Sequence, residues 1–471
     1  MAIMQLPSAK ERFALGQQRR KQMRRMEHRI WKAKDRRENP LKLLEASTRG
    51  RVPALVALKD QLMAASPFGY FRGAVPVMAY DLALTGNTGI CNQLCGDAHV
   101  RNLGAFAAPD GRLVFDINDF DETIVAPFEW DVKRMATSLI LAGRGAGARN
   151  MDCRGAAAVF LETYRTTMAA FARMPVLEVA RYQVHRLQNM AAVEGILRMA
   201  ERATPMHTLL TLTDIEGAGT VAKKKGVKKA GKNRVARTEM VKRATRVFKM
   251  EPPRLTRVKG EVAEQVVNSL IKYAESLQPE RRHFLAQYRP MDVAFKVVGT
   301  GSVGLRDYCV LMEGIGAKDP LFLQIKEEVS SGYAPYVPAS ARWTNKHQGR
   351  RVVEGERAMQ VQSDPFLGWT TLEGRDYLVR QLNDHKASIQ LESLKAAELL
   401  EYAAVCGEIL ARGHARAGDC SMIAGYLGTS TRFDEAVGAF AEAYANQTEL
   451  DWKQLVQSLK KTGKVVGAKK S

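Results

Sequence analysis

The stretch Cys95-Gly96-Asp97-Ala98-His99-Val100-Arg101-Asn102-Leu103-Gly104, continued by Leu113-Val114-Phe115-Asp116-Ile117-Asn118-Asp119-Phe120-Asp121-Glu122, decides how the chain is read. In these two segments Asp97, His99, Asn102, Asp116, Asn118, Asp119, Asp121 and Glu122 are eight side chains able to act as acids, bases or oxygen ligands, bracketed by glycines and apolar runs. Gly96 beside Asp97, and Gly104 after Asn102, punctuate the first half as a turn. Pro109-Asp110-Gly111 predicts a hairpin whose second strand, from Arg112 to Phe115, delivers Asp116 at its end, where a polar side chain can leave the core and face a cleft. Asn102 with Asp116 or Asp119 supplies hard oxygen ligands of the kind magnesium takes. Asp97, with His99 beside it, is then left to orient a hydroxyl or to accept its proton. A surface turn whose acids cap a helix starting near Pro127 would have the same composition. Cys91, Cys95 and His99, spaced four apart, admit a zinc site, although no fourth ligand is near.

A second stretch, Asp292 to Arg306, begins as a strand and ends in Gly299-Thr300-Gly301-Ser302-Val303-Gly304. Another extended run, Arg306 to Met312, follows it, so the glycines join two strands instead of opening the long helix of a dinucleotide fold. Leu321 to Glu327 alternates as a strand carrying Lys326. Asn345 to Gln360 reads as a helix with Glu354 and Glu356, and Arg375 to Leu382 as a further strand. In Ser66-Pro67-Phe68-Gly69-Tyr70-Phe71-Arg72-Gly73, the single arginine can bind a phosphate or carboxylate bidentately, or pair with a structural acid.

Gly96-Asp97-x-His99-x-x-Asn102, a hairpin and then Phe115-Asp116 resemble the catalytic loop and metal-binding aspartate of protein-kinase-like phosphotransferases, especially the small-molecule kinases of the aminoglycoside and choline type. The resemblance implies that Asp97 handles the substrate hydroxyl and that Asn102 and Asp116, or Asp119, hold Mg2+ on ATP phosphates. It also implies that Asp131 of Phe128-Glu129-Trp130-Asp131 buttresses the loop. Gly299, Gly301 and Gly304 match the kinase glycine loop, Lys326 the lysine that pairs with nucleotide phosphates, and Glu354 (or Glu356) the acid that holds that lysine. In kinases the glycine loop precedes the catalytic loop, whereas here it follows by about 200 residues. The implied fold is therefore α+β, protein-kinase-like, two-lobed and circularly permuted, with a mostly helical large lobe and a smaller antiparallel-sheet lobe. The implied function is ATP- and magnesium-dependent phosphoryl transfer to a hydroxyl of an unknown substrate. A nucleotidyl-transferring enzyme, or a non-catalytic kinase-like module, would be built on the same parts.

Over about residues 40–455 the chain also resembles a bacterial family, domain of unknown function 2252. The residues that carry this resemblance are Ser66 to Gly73, Cys95 to His99, Phe115 to Glu122, Phe128 to Asp131, Arg380-Gln381-Leu382 and His414-Ala415-Arg416-Ala417-Gly418-Asp419.

The 471 residues, 46 % hydrophobic and 26 % charged, suffice for a large two-lobed unit. Six cysteines without dense spacing fit a reducing compartment. No apolar run approaches the roughly 20 residues that span a bilayer, and the start lacks a signal core, so no membrane partner and a cytoplasmic location are expected. The net charge is +21, yet residues 1–37 carry +9, residues 221–260 carry +13 and residues 460–471 carry +5, leaving the rest mildly acidic. These charges divide the chain into a basic, solvated arm (1–38), a helical lobe with the catalytic-type loop (39–220), a basic exposed insertion (221–260), a helix and sheet lobe (261–385), returning helices (386–458) and a basic tail (459–471). The insertion, lysine- and glycine-rich and without an aromatic platform, suits non-specific contact with nucleic acid or another acidic partner. His414, Arg416 and Asp419 either reach the cleft to grip an acidic substrate or form an ion pair at a helix end.

Overall fold

Alternation of apolar side chains is the rule by which the sheet region packs. The computed structural model describes residues 7–183, 191–216, 245–338, 346–382, 387–389 and 396–462. The described strands, in chain order, are β1 (Cys91–Leu94), β2 (Leu103–Ala107), β3 (Leu113–Ile117), β4 (Ile124–Pro127), β5 (Thr213–Ile215), β6 (Arg246–Phe248), β7 (Leu255–Val258), β8 (Arg289–Lys296), β9 (Asp307–Glu313), β10 (Pro320–Glu327), β11 (Gly368–Leu372), β12 (Arg375–Gln381) and β13 (Ala387–Ser388). Six of them form an antiparallel sheet in the order β11-β12-β10-β9-β8-β7. Successive side chains leave a strand on opposite faces. Thus Val310, Leu323 and Ile325 pack with Val266, Leu270 and Tyr273 of the helix Glu261–Glu275, while Cys309, Leu311 and Phe322 pack with Leu209, Leu212 and Phe248 on the other side.

Outside this sheet the chain is mostly helical. Helices Glu129–Gly145, Asn150–Phe171, Ala396–Ala417, Cys420–Leu427 and Arg432–Lys461 pack around the largest core, which includes Phe128, Phe160, Tyr164, Tyr402, Ile409, Phe433 and Phe440. The protein is therefore a mixed α+β molecule with a helical region and a smaller antiparallel sheet region. Two small sheets, β1-β4 and β13-β2-β3, lie within the helical region. The chain re-enters that region after β12, through β13 paired with β2. Among the described residues no helix is long and apolar enough to cross a membrane.

Two readings made from charge runs are corrected. The amino-terminal arm is not free in solvent: helix Ala9–Arg19 and the turns after it pack on the helical region, although most of their side chains stay exposed. Arg20 and Arg25 donate to the carbonyls of Tyr426 (2.9 Å) and Leu427 (2.6 Å), satisfying the open end of helix Cys420–Leu427. His28 is buried against the Tyr426 hydroxyl at 2.7 Å. The second correction concerns residues 221–260. Residues 217–244, with the lysine-rich run, lie outside the described residues, but 246–258 are not an exposed insertion. They supply β6 and β7, with Phe248 and Leu255 buried.

Arg36 carries the arm's tightest contact. Its guanidinium donates to Asp81 Oδ1 (2.8 Å) and to both oxygens of Asp451 (2.9 and 2.8 Å), and Tyr444 Oη donates to Asp81 Oδ2 (2.7 Å). The buried carboxylates lie 45 and 415 residues away in sequence. Arg36→Met leaves both carboxylates buried without their cation and is expected to cost about 3–5 kcal/mol, read as a lowered urea midpoint. Adding Asp81→Asn and Asp451→Asn should recover part of that loss. An unchanged midpoint in the single variant would show that the arm does not hold the helices.

Candidate functional site

One turn of the helix Glu129–Gly145 fixes the loop around Asp97. Asp131 accepts the backbone N–H of Cys95 (2.9 Å) and of Gly96 (3.0 Å), the buttressing role expected for it. Three residues on, Arg134 donates through Nε to Asp97 Oδ1 (2.7 Å), donates to the Phe71 carbonyl (3.1 Å) and lies over the Phe71 ring. Gly96 has φ +82°, and a Cβ there would sit 2.1 Å from the Glu122 carbonyl oxygen, so the loop closes onto the acidic segment only with glycine at this position. Asn102 completes the turn by donating Nδ2–H to the Asp97 carbonyl at 2.8 Å.

His99 is buried, and its Nδ1 accepts the Arg101 N–H (3.2 Å), which leaves the proton on Nε2, 3.6 Å from Asp97 Oδ2. Burial, then the charges of Arg72 and Arg134, hold its pKa well below the ordinary value, so it is a neutral ring. Burial pushes the Asp97 carboxyl up, with Arg134 opposing it. Since Arg134 engages Oδ1, Oδ2 is the oxygen left to meet a ligand.

Asp97, His99, Asn102 and Asp119 line one cavity of about 280 Å³ together with Gly299, Gly301 and Arg72. Two loops about 200 residues apart in sequence thus meet on a single space. The glycine turn reaches it because Val52 N–H donates to the Gly304 carbonyl (2.7 Å), Arg51 to the Val303 carbonyl (2.6 Å) and Lys59 Nζ to the Gly301 carbonyl (3.0 Å). Gly304, at φ +93°, stands behind the lining, with Arg51 3.1 Å from where its Cβ would be.

Four expected site residues do not line the cavity: Gly304, Asp116, Lys326 and Glu354. Asp116 does not face the cavity: β3 places it opposite Gly104, and its carboxylate is an inward ion pair with Arg412. Asp119 is the one of the two carboxylates that lines the cavity. Glu354 does not hold Lys326, because it pairs along its own helix with Arg350 at 2.6 Å. Glu356 is buried on that helix but is not the partner either, its charge acting on Arg380. Lys326 instead donates to both oxygens of Asp121, at 2.6 Å to Oδ1, and lies 3.8 Å from Asp119. Burial acts against the Lys326 ammonium, but Asp119 and Asp121 more than offset it and keep it charged. Burial, then the charge of Asp121, raises Asp119. The alternative roles weighed for other residues resolve structurally. His414 is buried between Tyr164 (2.8 Å) and Asp131 (3.3 Å), Arg416 donates to the Ala180 carbonyl, and Asp419 caps the next helix and pairs with Arg12 at 2.9 Å. Cys91, Cys95 and His99 do not gather: among the described residues no group of three His, Cys, Asp or Glu side chains is placed to hold a metal.

Sequence reasoning missed Arg51, Lys59, Asp121 and Glu328, all of which line the cavity, and Arg134 beneath it. A signal existed for Lys59. Leu55, Lys59 and Met63 recur every four residues and are all buried, so the lysine stands on the apolar face of helix Pro53–Ala64. Glu328 is buried with Oε1 unpartnered among the described residues, and burial, then Asp121, pushes its carboxyl well above the usual range.

Burial and then Arg51 pull the Lys59 pKa down to about 7, against the opposing charges of Glu122, Asp60 and Asp97. The unfolded amine titrates near about 10.4. Between those values the unfolded chain keeps a proton that the folded chain has shed, so the contribution of Lys59 to stability rises with pH through that window. The slope is at most about 1.4 kcal/mol per pH unit. Urea midpoints of the natural chain minus those of Lys59→Met, taken from pH 7 to 10, should increase. A flat difference would mean that the amine is not desolvated.

No curated protein and no solved structure matches the chain. A family model does, over residues 51–458, a span that holds the Asp97 loop, the acidic segment, the glycine turn and the three cations of the cavity. The chain thus belongs to the family described as uncharacterized protein conserved in bacteria, DUF2252.

Proposed function

We propose that the protein is a phosphotransferase of permuted kinase-like design that moves a phosphoryl group from ATP to a hydroxyl. One observation carries the reading: the glycine turn 299–302 and the loop residues Asp97, Asn102 and Asp119 line the same cavity, with cations and carboxylates on its walls. The succession β8, glycine turn, β9, Lys326 on β10, helix Gln348–Met359, β11 and β12 also follows the order of the parts that the kinase resemblance requires. The cavity lies near the lower end of the range of small-molecule sites, about 300–1,000 Å³.

The donor set fits magnesium. Asn102 Oδ1 and the Asp119 carboxylate would hold it, with Asp121 already bound by Lys326, and this ion commonly takes one or two carboxylates together with phosphate oxygens and water. A bound ion would neutralise charge on the transferring phosphoryl oxygens. The protein's own residues do the rest. Asp97 Oδ2 accepts a hydrogen bond from the acceptor hydroxyl and takes its proton as the oxygen attacks. Arg134 and the neutral His99 hold that carboxylate in place. Lys326 serves as counter-charge to Asp119 and Asp121. The glycine turn and Lys59 close the space from water, which strengthens each of these interactions.

Calorimetry with ATP and MgCl2 should show binding, and product mass should show gain of one phosphoryl group. Gain of a nucleotide would indicate a nucleotidyl transferase, and no binding at millimolar nucleotide would end both enzyme readings. Asp97→Asn is expected to lower turnover about 10²–10⁴-fold while nucleotide affinity stays within a few-fold, since this change touches only the hydroxyl being activated. Equal losses in both would place Asp97 at the nucleotide instead.

A further inference from the structure

Arg72 is a cation whose guanidinium is not fully hydrogen-bonded among the described residues. It lines the cavity, and its Nε is buried with no hydrogen-bond partner among the described residues. A buried N–H without a partner is costly unless a ligand completes it. Its nearest opposing influence is Asp97, then Asp119, and the effect on Asp97 is mutual. Arg134 also ties the two residues together mechanically, donating to the Phe71 carbonyl next to Arg72 and to Asp97 itself. The guanidinium and the carboxylate that would handle the hydroxyl thus line the same cavity. Lys59 stands on the same cavity with one hydrogen bond among the described residues, to the Gly301 carbonyl, out of the three an ammonium can make.

We propose that the acceptor is an anionic alcohol: a small molecule whose hydroxyl meets Asp97 and whose own oxyanion, a phosphate or a carboxylate, is gripped by Arg72 with Lys59 in support. The proposal rests on the phosphotransferase reading and adds the class of acceptor. Arg72 presents a planar fork that matches either oxyanion bidentately. A neutral alcohol or sugar would leave that fork unpaired, and the cavity would discriminate against it for that reason.

The test separates the two readings. Thermal midpoints of the full chain are followed while sodium sulfate or sodium acetate is titrated at constant ionic strength, with and without saturating magnesium and a non-hydrolysable ATP analogue. A saturable rise with sulfate that persists in the presence of the analogue, and is weakened about tenfold or more in Arg72→Gln and in Lys59→Gln but only partly restored in Arg72→Lys, which keeps the charge and loses the fork, supports the proposal. Response to sulfate alone marks a phosphate-bearing acceptor, and response to acetate a carboxylate-bearing one. If the analogue displaces sulfate, Arg72 belongs to the nucleotide phosphates; the acceptor class is then overturned while the phosphotransferase reading stands. If sulfate acts without saturation and equally on all variants, the effect is general salt exclusion and the proposal fails. If sulfate binds at Arg72 but the analogue does not bind at all, the phosphotransferase reading fails and the acceptor falls with it.

Discussion

The structure depends on how one acidic segment is neutralised. Asp119, Asp121 and Glu122 lie beside Glu328, and like charges brought together out of water raise one another's pKa or expel one another. The sheet region and its helix supply the answer. Lys326 binds the Asp121 carboxylate; Arg351 donates to the carbonyls of Thr123 (2.6 Å), Asp121 (2.8 Å) and Val329 (2.9 Å); and Arg380 donates to the Asn118 carbonyl (3.0 Å). Gln360 holds the Ile117 carbonyl (2.6 Å), and Gly332 N–H meets the Glu122 carboxylate (2.6 Å). The segment sits between β3 and β4 of the helical region but is held largely from the other one. Removing the sheet region would strip it of charge balance and of backbone partners together, so the carboxylates of this segment cannot take their places until both regions have packed.

What was legible in the sequence was what local pattern determines. Alternation gave β9 and β10, the glycines gave the turn between β8 and β9, and the turn residues around Asp97 gave the loop. Asp131 was found because its place in Phe128-Glu129-Trp130-Asp131 matched a known arrangement. What was missed depends on partners remote in sequence. Arg36 was counted as one more charge of a solvated arm, although the groups that neutralise it come from two distant helices. Like-charge repulsion is an argument about a chain in water. It lapses once buried carboxylates and open helix carbonyls surround the arginines.

Asp116 and Glu354 show the same limit in finer form. Asp116 ends a strand, and strand ends face either a cleft or the interior. Only the pairing of β3 with β2, and the position of Arg412 on a helix 296 residues later, decide for the interior. Glu354 was preferred because a helix follows the lysine strand and carries it. Helix phase governs which residue faces that strand, and the phase here buries Arg351 and Glu356 while leaving Glu354 beside Arg350. Lys326 then takes the carboxylates nearest in space, which belong to the acidic segment. A lysine's partner is chosen by proximity in the fold, and sequence spacing gives no measure of that.

The two regions contribute differently to the cavity, and this follows from where their hydrogen bonds run. Everything that orients Asp97 comes from the helical region: Asp131 on the loop amides, Arg134 on the carboxylate, and His99 and Asn102 within the loop. Its geometry therefore needs no help from the sheet. The glycine turn is the reverse case. It belongs to the sheet but is moored by Arg51, Val52 and Lys59, which all lie in or at the start of helix Pro53–Ala64. Two of the three moorings are side-chain cations that also line the cavity. A ligand anion drawing on those cations would compete with the carbonyls they now hold, and would loosen or reset the turn as it binds. The Asp97 side of the cavity is thus held within one region and the glycine side is moored across two; on the proposed phosphotransferase reading, the first would fix the reacting hydroxyl and the second would enclose the nucleotide phosphates.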